Sequence, residues 1–297
     1  MPDSRLNPFS STRIIRALLV LLLTSVLLAG CSVARLGYGQ LPSLGYWWVD
    51  SYLDLNDAQS VTLRADLQAL HSWHRSQELP RLARDWADMQ AQAQQNTTPA
   101  QVCQMTDRFK SRLMAVLAQS EPGFARLGLS LKDEQLQHMQ HQLDKKAQSW
   151  RDDWLAGSPA ERQARRLERL VERSEGFYGT LSDAQVRLLR AGVQATPFDT
   201  QAAELEMLRR HQDWLQTLQG LAGSKMTLAQ VQDRIHALFG RSLQSPNASY
   251  RAHIDQLLQN NCNTFAQLHN SATPAQRQKL IAKLKGYEDD ARTLMLH

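Results

Sequence analysis

Behind the N-terminal segment, apolar residues recur at intervals of three and four along almost the whole chain. The stretch after Thr273 is an example, because Leu280, Ile281, Leu284 and Tyr287 fall on one helical face. Such spacing gives each helix one buried stripe, whereas a half-buried strand alternates apolar and polar residues, and no such run occurs. The pattern therefore predicts an all-α protein with a multi-helix, bundle-like body of about ten helices.

Most of these stripes follow one start signal: a capping side chain, then usually Pro or Asp, then Ala, then Gln or Glu. In such a capping box the cap oxygen accepts a backbone N–H, and the fourth side chain reaches back to the cap. Boxes occur at residues 56–59, 98–101, 158–161, 182–185, 227–230 and 273–276, and a looser one at 132–135. Together with breaks at Pro80, Pro122-Gly123, Gly157, Gly176, Gly220 and Gly223, they predict helices over residues 44–53, 57–79, 80–95, 99–120, 131–156, 159–176, 183–193, 199–219, 228–239, 246–269 and 274–294.

The first 30 residues have the features of an export signal. Three arginines precede an apolar run over 17–23 that resumes at 26–28, and this is shorter than the roughly 20 residues of a transmembrane helix. Leu-Ala-Gly-Cys at 28–31 resembles the bacterial lipobox. The resemblance implies cleavage before Cys31, acylation of Cys31 and, because residue 32 is Ser rather than Asp, sorting to the outer membrane. We therefore expect a signal peptide at 1–30, a lipidated tether at 31–43 and a periplasmic helical body at 44–297.

Four aromatic residues lie within residues 46–52, a short distance behind this lipid. They allow two interpretations: contact with the membrane interface, where Trp and Tyr are favoured, or burial of a first helix in the core. Trp47 and Trp48 point about 100° apart on a helix, so they are poorly placed to face lipid together. The sequence therefore favours burial in the core.

Charge and hydropathy indicate which partners and which membrane contacts to expect. The formal net charge is +5, and removing the three arginines and one aspartate of residues 1–30 leaves about +3. A nucleic-acid-binding protein would show a concentrated basic face, so we expect no nucleic-acid partner. No second hydrophobic span follows residue 31, and the body should therefore be aqueous, held to the membrane only by its N-terminal lipid.

Cys103 and Cys262 remain after Cys31 is assigned to the lipid. Free thiols are uncommon in oxidising compartments, so the sequence favours a disulfide between them. Two unpaired buried cysteines are the alternative. A metal or catalytic cysteine lacks support, because no Cys-x-x-Cys or neighbouring ligand cluster occurs.

Candidate metal and anion ligands come from histidines and arginines. Two His-x-x-His pairs, His71/His74 and His138/His141, each share a helix face, but neither has a Glu-x-x-His companion, and surface or half-buried histidines are the favoured interpretation. No cofactor is expected. Five arginines crowd one helix and are candidates for binding an anion, although four interleaved glutamates favour a solvated, internally paired surface. These arginines are Arg162, Arg165, Arg166, Arg169 and Arg173.

Several segments together resemble an uncharacterised family of proteobacterial lipoproteins whose shared domain has no assigned function. They are Arg35-Leu36-Gly37-Tyr38, Trp47-Trp48 with Asp50 and Tyr52, Trp73-His74-Arg75 with Glu78-Leu79-Pro80, and Phe177-Tyr178-Gly179-Thr180-Leu181 with Gln185. The resemblance brings no activity or site with it. It implies lipidation and an all-helical body.

No catalytic motif occurs in the sequence, so an enzyme is the third choice of function. A chaperone is the second, because boxes such as Leu-Ser-Asp-Ala-Gln at 181–185 are similar to the Leu-Thr-x-x-Gln boxes of small stress-induced periplasmic chaperones. The first choice is a non-catalytic structural or adaptor lipoprotein that binds envelope proteins at the outer membrane. A mixed surface of Arg, Glu and Gln suits protein recognition better than polyanion capture.

Overall fold

A computed structural model describes residues 37–196 and 198–296 of the chain, and in these residues the fold is all-α, with eleven α-helices and no strand. Cys31 and the signal segment lie outside the described residues. The helices are α1 Leu41–Leu53, α2 Asp57–Trp73, α3 Leu79–Gln92, α4 Pro99–Ser130, α5 Asp133–Trp154, α6 Pro159–Tyr178, α7 Asp183–Ala195, α8 Thr200–Leu221, α9 Leu228–Leu243, α10 Ala248–Asn270 and α11 Pro274–Leu294. Every predicted capping box opens a helix, and in each one the side chain of the third helical residue bonds the cap.

Both proline breaks predicted from the sequence are wrong. Pro122 lies inside α4, which continues to Ser130 because its second half is buried: Ala125 is fully buried, and Leu127 and Gly128 are buried beside it. This packing offsets the roughly 3 kcal/mol that an interior proline costs. At Pro80 the helix does not stop either, because residues 74–78 widen into a π-turn. Gly176 and Gly220 also lie inside helices, and α1 begins at Leu41, within the predicted tether.

The buried side chains form two main cores, which divide the fold into two lobes joined by α4. The first lobe packs α1, α2, α5, α8, α9 and the second half of α4 around residues such as Leu136, Leu221, Ile235 and Leu238. The second lobe packs α3, α6, α7, α10 and α11 around Tyr178, Leu189, Leu268 and Leu284. The 32-residue α4 contacts α2, α8 and α9 of the first lobe and α10 of the second, so it is the shared element of the body.

Four of the box glutamines are buried and meet in two pairs, one in each lobe. In the first lobe the amides of Gln59 and Gln135 donate to each other's oxygens at 3.1 and 2.8 Å. In the second, Gln185 and Gln276 do the same at 2.9 and 3.0 Å. Each of the four glutamine amides also donates to a backbone carbonyl that lies just before the helix of the other glutamine in its pair. Each pair therefore joins the starts of two helices that are distant in sequence.

None of the helices in the described residues combines the length and apolarity needed to cross a bilayer.

Candidate functional site

An apolar groove of 510 Å³ opens in the second lobe between α3, α4, α6 and α10. Its walls carry Met89 from α3, Met105 and Phe109 from α4, and Leu258 and Phe265 from α10. Phe265 is 39% exposed although it is large and apolar. Cavities of this size that are mostly apolar are the usual form of a binding site, so the groove is the leading candidate site of the described residues.

A disulfide braces the groove. Cys103 of α4 and Cys262 of α10 are joined at an S–S distance of 2.07 Å, with their Cα atoms 5.5 Å apart. Cys262 is buried and lines the cavity. Because the bond ties the two walls across 159 residues of sequence, it fixes the width of the groove at this level.

A buried tyrosine–histidine pair lies beneath the same groove. The Nε2 of His269 lies 2.8 Å from the carbonyl of Gln95, which can only accept, so Nε2 carries the proton. The Tyr178 hydroxyl therefore donates to Nδ1 at 3.0 Å. Burial lowers the pKa of His269 and raises that of Tyr178, so both side chains are neutral near pH 7. The pair holds the loop before α4 against α10.

The rim of the groove is polar. The amides of Gln92 and Asn261 are exposed and have no hydrogen-bond partner in the part of the chain that the structure describes. Arg173, one of the five arginines considered as candidates for anion binding, also borders the groove. An apolar floor with exposed amides at its edge resembles the anatomy of a protein–protein interface.

A second cluster of polar groups surrounds the π-turn at residues 74–78. Pro80 has no N–H and its ring crowds the preceding turn, so Leu79 donates to the carbonyl of His74, five residues back. Glu78 is fully buried, and its Oε1 accepts a 2.8 Å bond from Arg81, while Arg112 of α4 lies 3.8 Å from Oε2. Arg112 also donates to Asp85 at 3.2 Å. The cluster is therefore an ionic joint between α3 and α4.

The two His-x-x-His pairs, which were candidate metal ligands, lie apart and contact different residues. Tyr38 packs its ring on His71 with centroids 4.5 Å apart and shares a 2.9 Å hydrogen bond with Nδ1 of His74. His138 lies instead 3.2 Å from the backbone oxygen of Ser51 on α1, and His141 is exposed. Within the described residues no group of three or more His, Cys, Asp or Glu side chains is arranged to hold a metal. Burial lowers the pKa of both His71 and His74, which keeps them neutral.

The other four predicted arginines line a smaller cleft of 180 Å³ between α5, α6 and the start of α8. Arg162 and Arg165 donate to carbonyls of residues 155–157, at the end of α5. The guanidinium carbons of Arg166 and Arg169 lie 5.7 Å and 5.1 Å from the ring centroids of Phe198 and Trp154. Within the described ranges none of the five arginines comes within 4.0 Å of an interleaved glutamate carboxylate, although hydrogen bonds from Ser158 and, to a smaller extent, the charge of Arg165 lower the pKa of Glu161. The partners of Arg162 and Arg165 are carbonyls, and those of Arg166 and Arg169 are aromatic rings, which sequence spacing does not reveal.

The groove is the part of the site that the sequence analysis missed. Met89, Met105, Phe109 and Phe265 lie on apolar stripes and are indistinguishable in sequence from core residues. Only the gap left between α3, α4 and α10 separates them from the core. The one available signal was the cysteine pair, because a bridge between Cys103 and Cys262 requires α4 and α10 to be neighbours.

The fold and site define an all-α, two-lobed domain with an apolar groove. Residues 51–251 match a family of unknown function, DUF6279, and the chain belongs to that family. No curated protein and no solved structure matches the chain.

Proposed function

We propose that this protein is a periplasmic lipoprotein, anchored to the outer membrane through Cys31, that binds envelope proteins without chemical turnover. The observation that carries the proposal is the braced apolar groove of the second lobe. The lipobox at residues 28–31 and its placement behind a short apolar run support the anchor.

We infer that the groove takes an apolar segment of a protein partner. Methionines adapt their shape to different apolar ligands, and two of them face the cavity. The free amides of Gln92 and Asn261 can bond the backbone of a bound segment, which must otherwise leave its own polar groups unsatisfied. With a formal charge of +5 over 297 residues, the chain has no dominant charge to attract a polyanion instead.

Site-specific photo-cross-linking in cells tests the groove. A cross-linking residue at Thr106, on the groove rim, should give a covalent adduct with a protein partner, and Met105→Asp in the same chain should abolish the adduct while the helical spectrum is retained. The matched control is Asp107, which is exposed on the same turn but does not line the groove. An absent adduct at 106, or an equal one at 107, contradicts the proposal.

Complementation tests the anchor. The chain from residue 32, exported by a cleavable non-lipid signal at native abundance, should fold but lose most of its effect in a deletion strain. The reason is that effective concentration at the membrane is lost. Full complementation would show that anchoring is dispensable and would favour the soluble chaperone. The capping boxes that resemble chaperone boxes do not favour a chaperone, because the glutamines of four boxes are buried and join the starts of helices.

A further inference from the structure

The outward face of α1 is apolar and exposed. Leu41, Leu44, Trp47 and Trp48 are 48%, 56%, 61% and 63% exposed. The sequence favoured burial of these tryptophans, and that expectation is wrong. Large apolar side chains grouped on one short helix form a patch that soluble proteins seldom leave uncovered.

This exposed face lies opposite the buried one. Tyr46, Val49 and Leu53 point into the first lobe, where α1 packs on α2 and α5. At about 100° per residue, the four exposed side chains occupy roughly a third of the helix circumference, centred opposite the buried three. Trp47 and Trp48 are 100° apart, yet both fit within the outer half of a helix whose inner half rests on the body.

Two polar side chains of α1, Ser51 and Asp50, form hydrogen bonds within the protein. The Ser51 hydroxyl donates to the carbonyl of Trp48 at 2.7 Å, and Asp50, the one Asp, Glu, Lys or Arg in α1, accepts from Leu55 N–H at 3.0 Å. Arg64 of α2 lies at the edge of the patch, with its guanidinium carbon 3.4 Å from the Tyr46 ring centroid and 5.9 Å from that of Trp47. The face thus combines exposed apolar side chains, two tryptophans and a cation at its border. Helices with this composition lie in the interface of a bilayer.

We propose that α1 binds a phospholipid surface, lying in the plane of the interface with Leu41, Leu44, Trp47 and Trp48 among the headgroups and upper acyl chains. The helix has 13 residues, fewer than the roughly 20 that span a membrane, so it rests on the bilayer. Cys31 precedes Leu41 by ten residues, which reach on the order of 35 Å when fully extended. The orientation of the body rests on the proposed lipid anchor, and the phospholipid contact of α1 adds a second attachment that holds the first lobe against the membrane.

Vesicle sedimentation tests the contact without the lipid anchor. The chain from residue 31, with Cys31→Ser and every described residue retained, is mixed with vesicles of phosphatidylethanolamine and phosphatidylglycerol. We expect it to sediment with the vesicles, and Trp47→Ser/Trp48→Ser to reduce its partition coefficient at least about tenfold. The matched control is Leu205→Ser/Leu228→Ser, which removes exposed leucines from α8 and α9 and should leave binding unchanged.

Unfolding midpoints of both variants show whether the fold is retained. The inference is overturned if the parent chain stays in the supernatant, or if the tryptophan variant binds as well as the parent. Mass spectrometry of Cys31 from cells decides the anchor separately. An unmodified Cys31 with intact vesicle binding would refute the anchor and leave the lipid contact of α1 standing. An acylated Cys31 with no vesicle binding would support the anchor and refute the lipid contact of α1.

Discussion

Replacing Gln59 by Ala should destabilise the protein far more than the same change at Gln101, although both occupy the same position of a capping box. Gln101 is exposed, and its side chain bonds its own cap residue, Thr98. Gln59 is buried, and its amide donates to the Ser130 carbonyl at 2.9 Å and to Gln135 at 3.1 Å. Its oxygen accepts from Gln135 at 2.8 Å and from Asn56 N–H at 3.1 Å.

The expected magnitude follows from these contacts. Four hydrogen bonds of about 1 kcal/mol each are lost, and the abandoned amide of Gln135 remains buried, so Gln59→Ala should lower the free energy of unfolding by about 3–4 kcal/mol. Gln101→Ala, in an exposed box, should lower the free energy of unfolding by no more than about 1 kcal/mol. For a chain of this size, the larger loss lowers the melting temperature by on the order of 10 °C.

Urea unfolding of the two single variants, and of Gln59→Ala/Gln135→Ala, measures the effect. The double variant should lose less than the sum of the single losses, because the two side chains are each other's partners. Equal small losses for Gln59→Ala and Gln101→Ala would refute the reasoning, since they would mean that the buried pair adds nothing to the local cap.

Four further predictions concern other residues. The free energy of unfolding should fall as the pH drops below about 6.5, because burial lowers the folded-state pKa of His71, His74 and His269 and the unfolded chain therefore binds protons first. Urea unfolding at pH 7.5 and pH 5.5 measures this difference. The variant His269→Gln should show a smaller difference between the two pH values. Titration of the denatured, unreduced protein should find no thiol at Cys103 or Cys262, and replacing both by Ser should cost up to about 5 kcal/mol for a loop closed across 159 residues. Gly192→Ala should destabilise the fold, since a Cβ there would clash with the side chain of Thr264, whereas Gly176→Ala, in open space on α6, should stabilise it by up to about 1 kcal/mol in thermal unfolding. In cells, Cys31→Ala should leave an uncleaved and unacylated precursor, and an unmodified Cys31 in the parent protein would contradict lipidation.

The sequence by itself determined the fold class and most helix boundaries. Capping boxes and three-four periodicity are local, so they act within the first turns of each helix and can be read without knowing its neighbours. The starts of α2, α4, α6, α7, α9 and α11 follow their boxes directly. The errors at Pro80 and Pro122 have a tertiary cause, because packing of α3 and α4 against the rest of the body outweighs the local preference to stop.

Residues that occupy similar positions in the local sequence patterns have different roles, and only the tertiary structure decided which role each one has. Gln59 and Gln101 occupy the same position of a capping box, yet one is buried in a reciprocal pair and the other is exposed. Met105 and Leu136 both lie on apolar stripes, but the first lines a groove and the second fills a core. Trp47 and Tyr46 are neighbours on α1, and the position of α2 and α5 alone places the tyrosine inside and the tryptophan outside. Periodicity records that a face is apolar, whereas what covers that face depends on helices distant in sequence, whose arrangement no local pattern encodes.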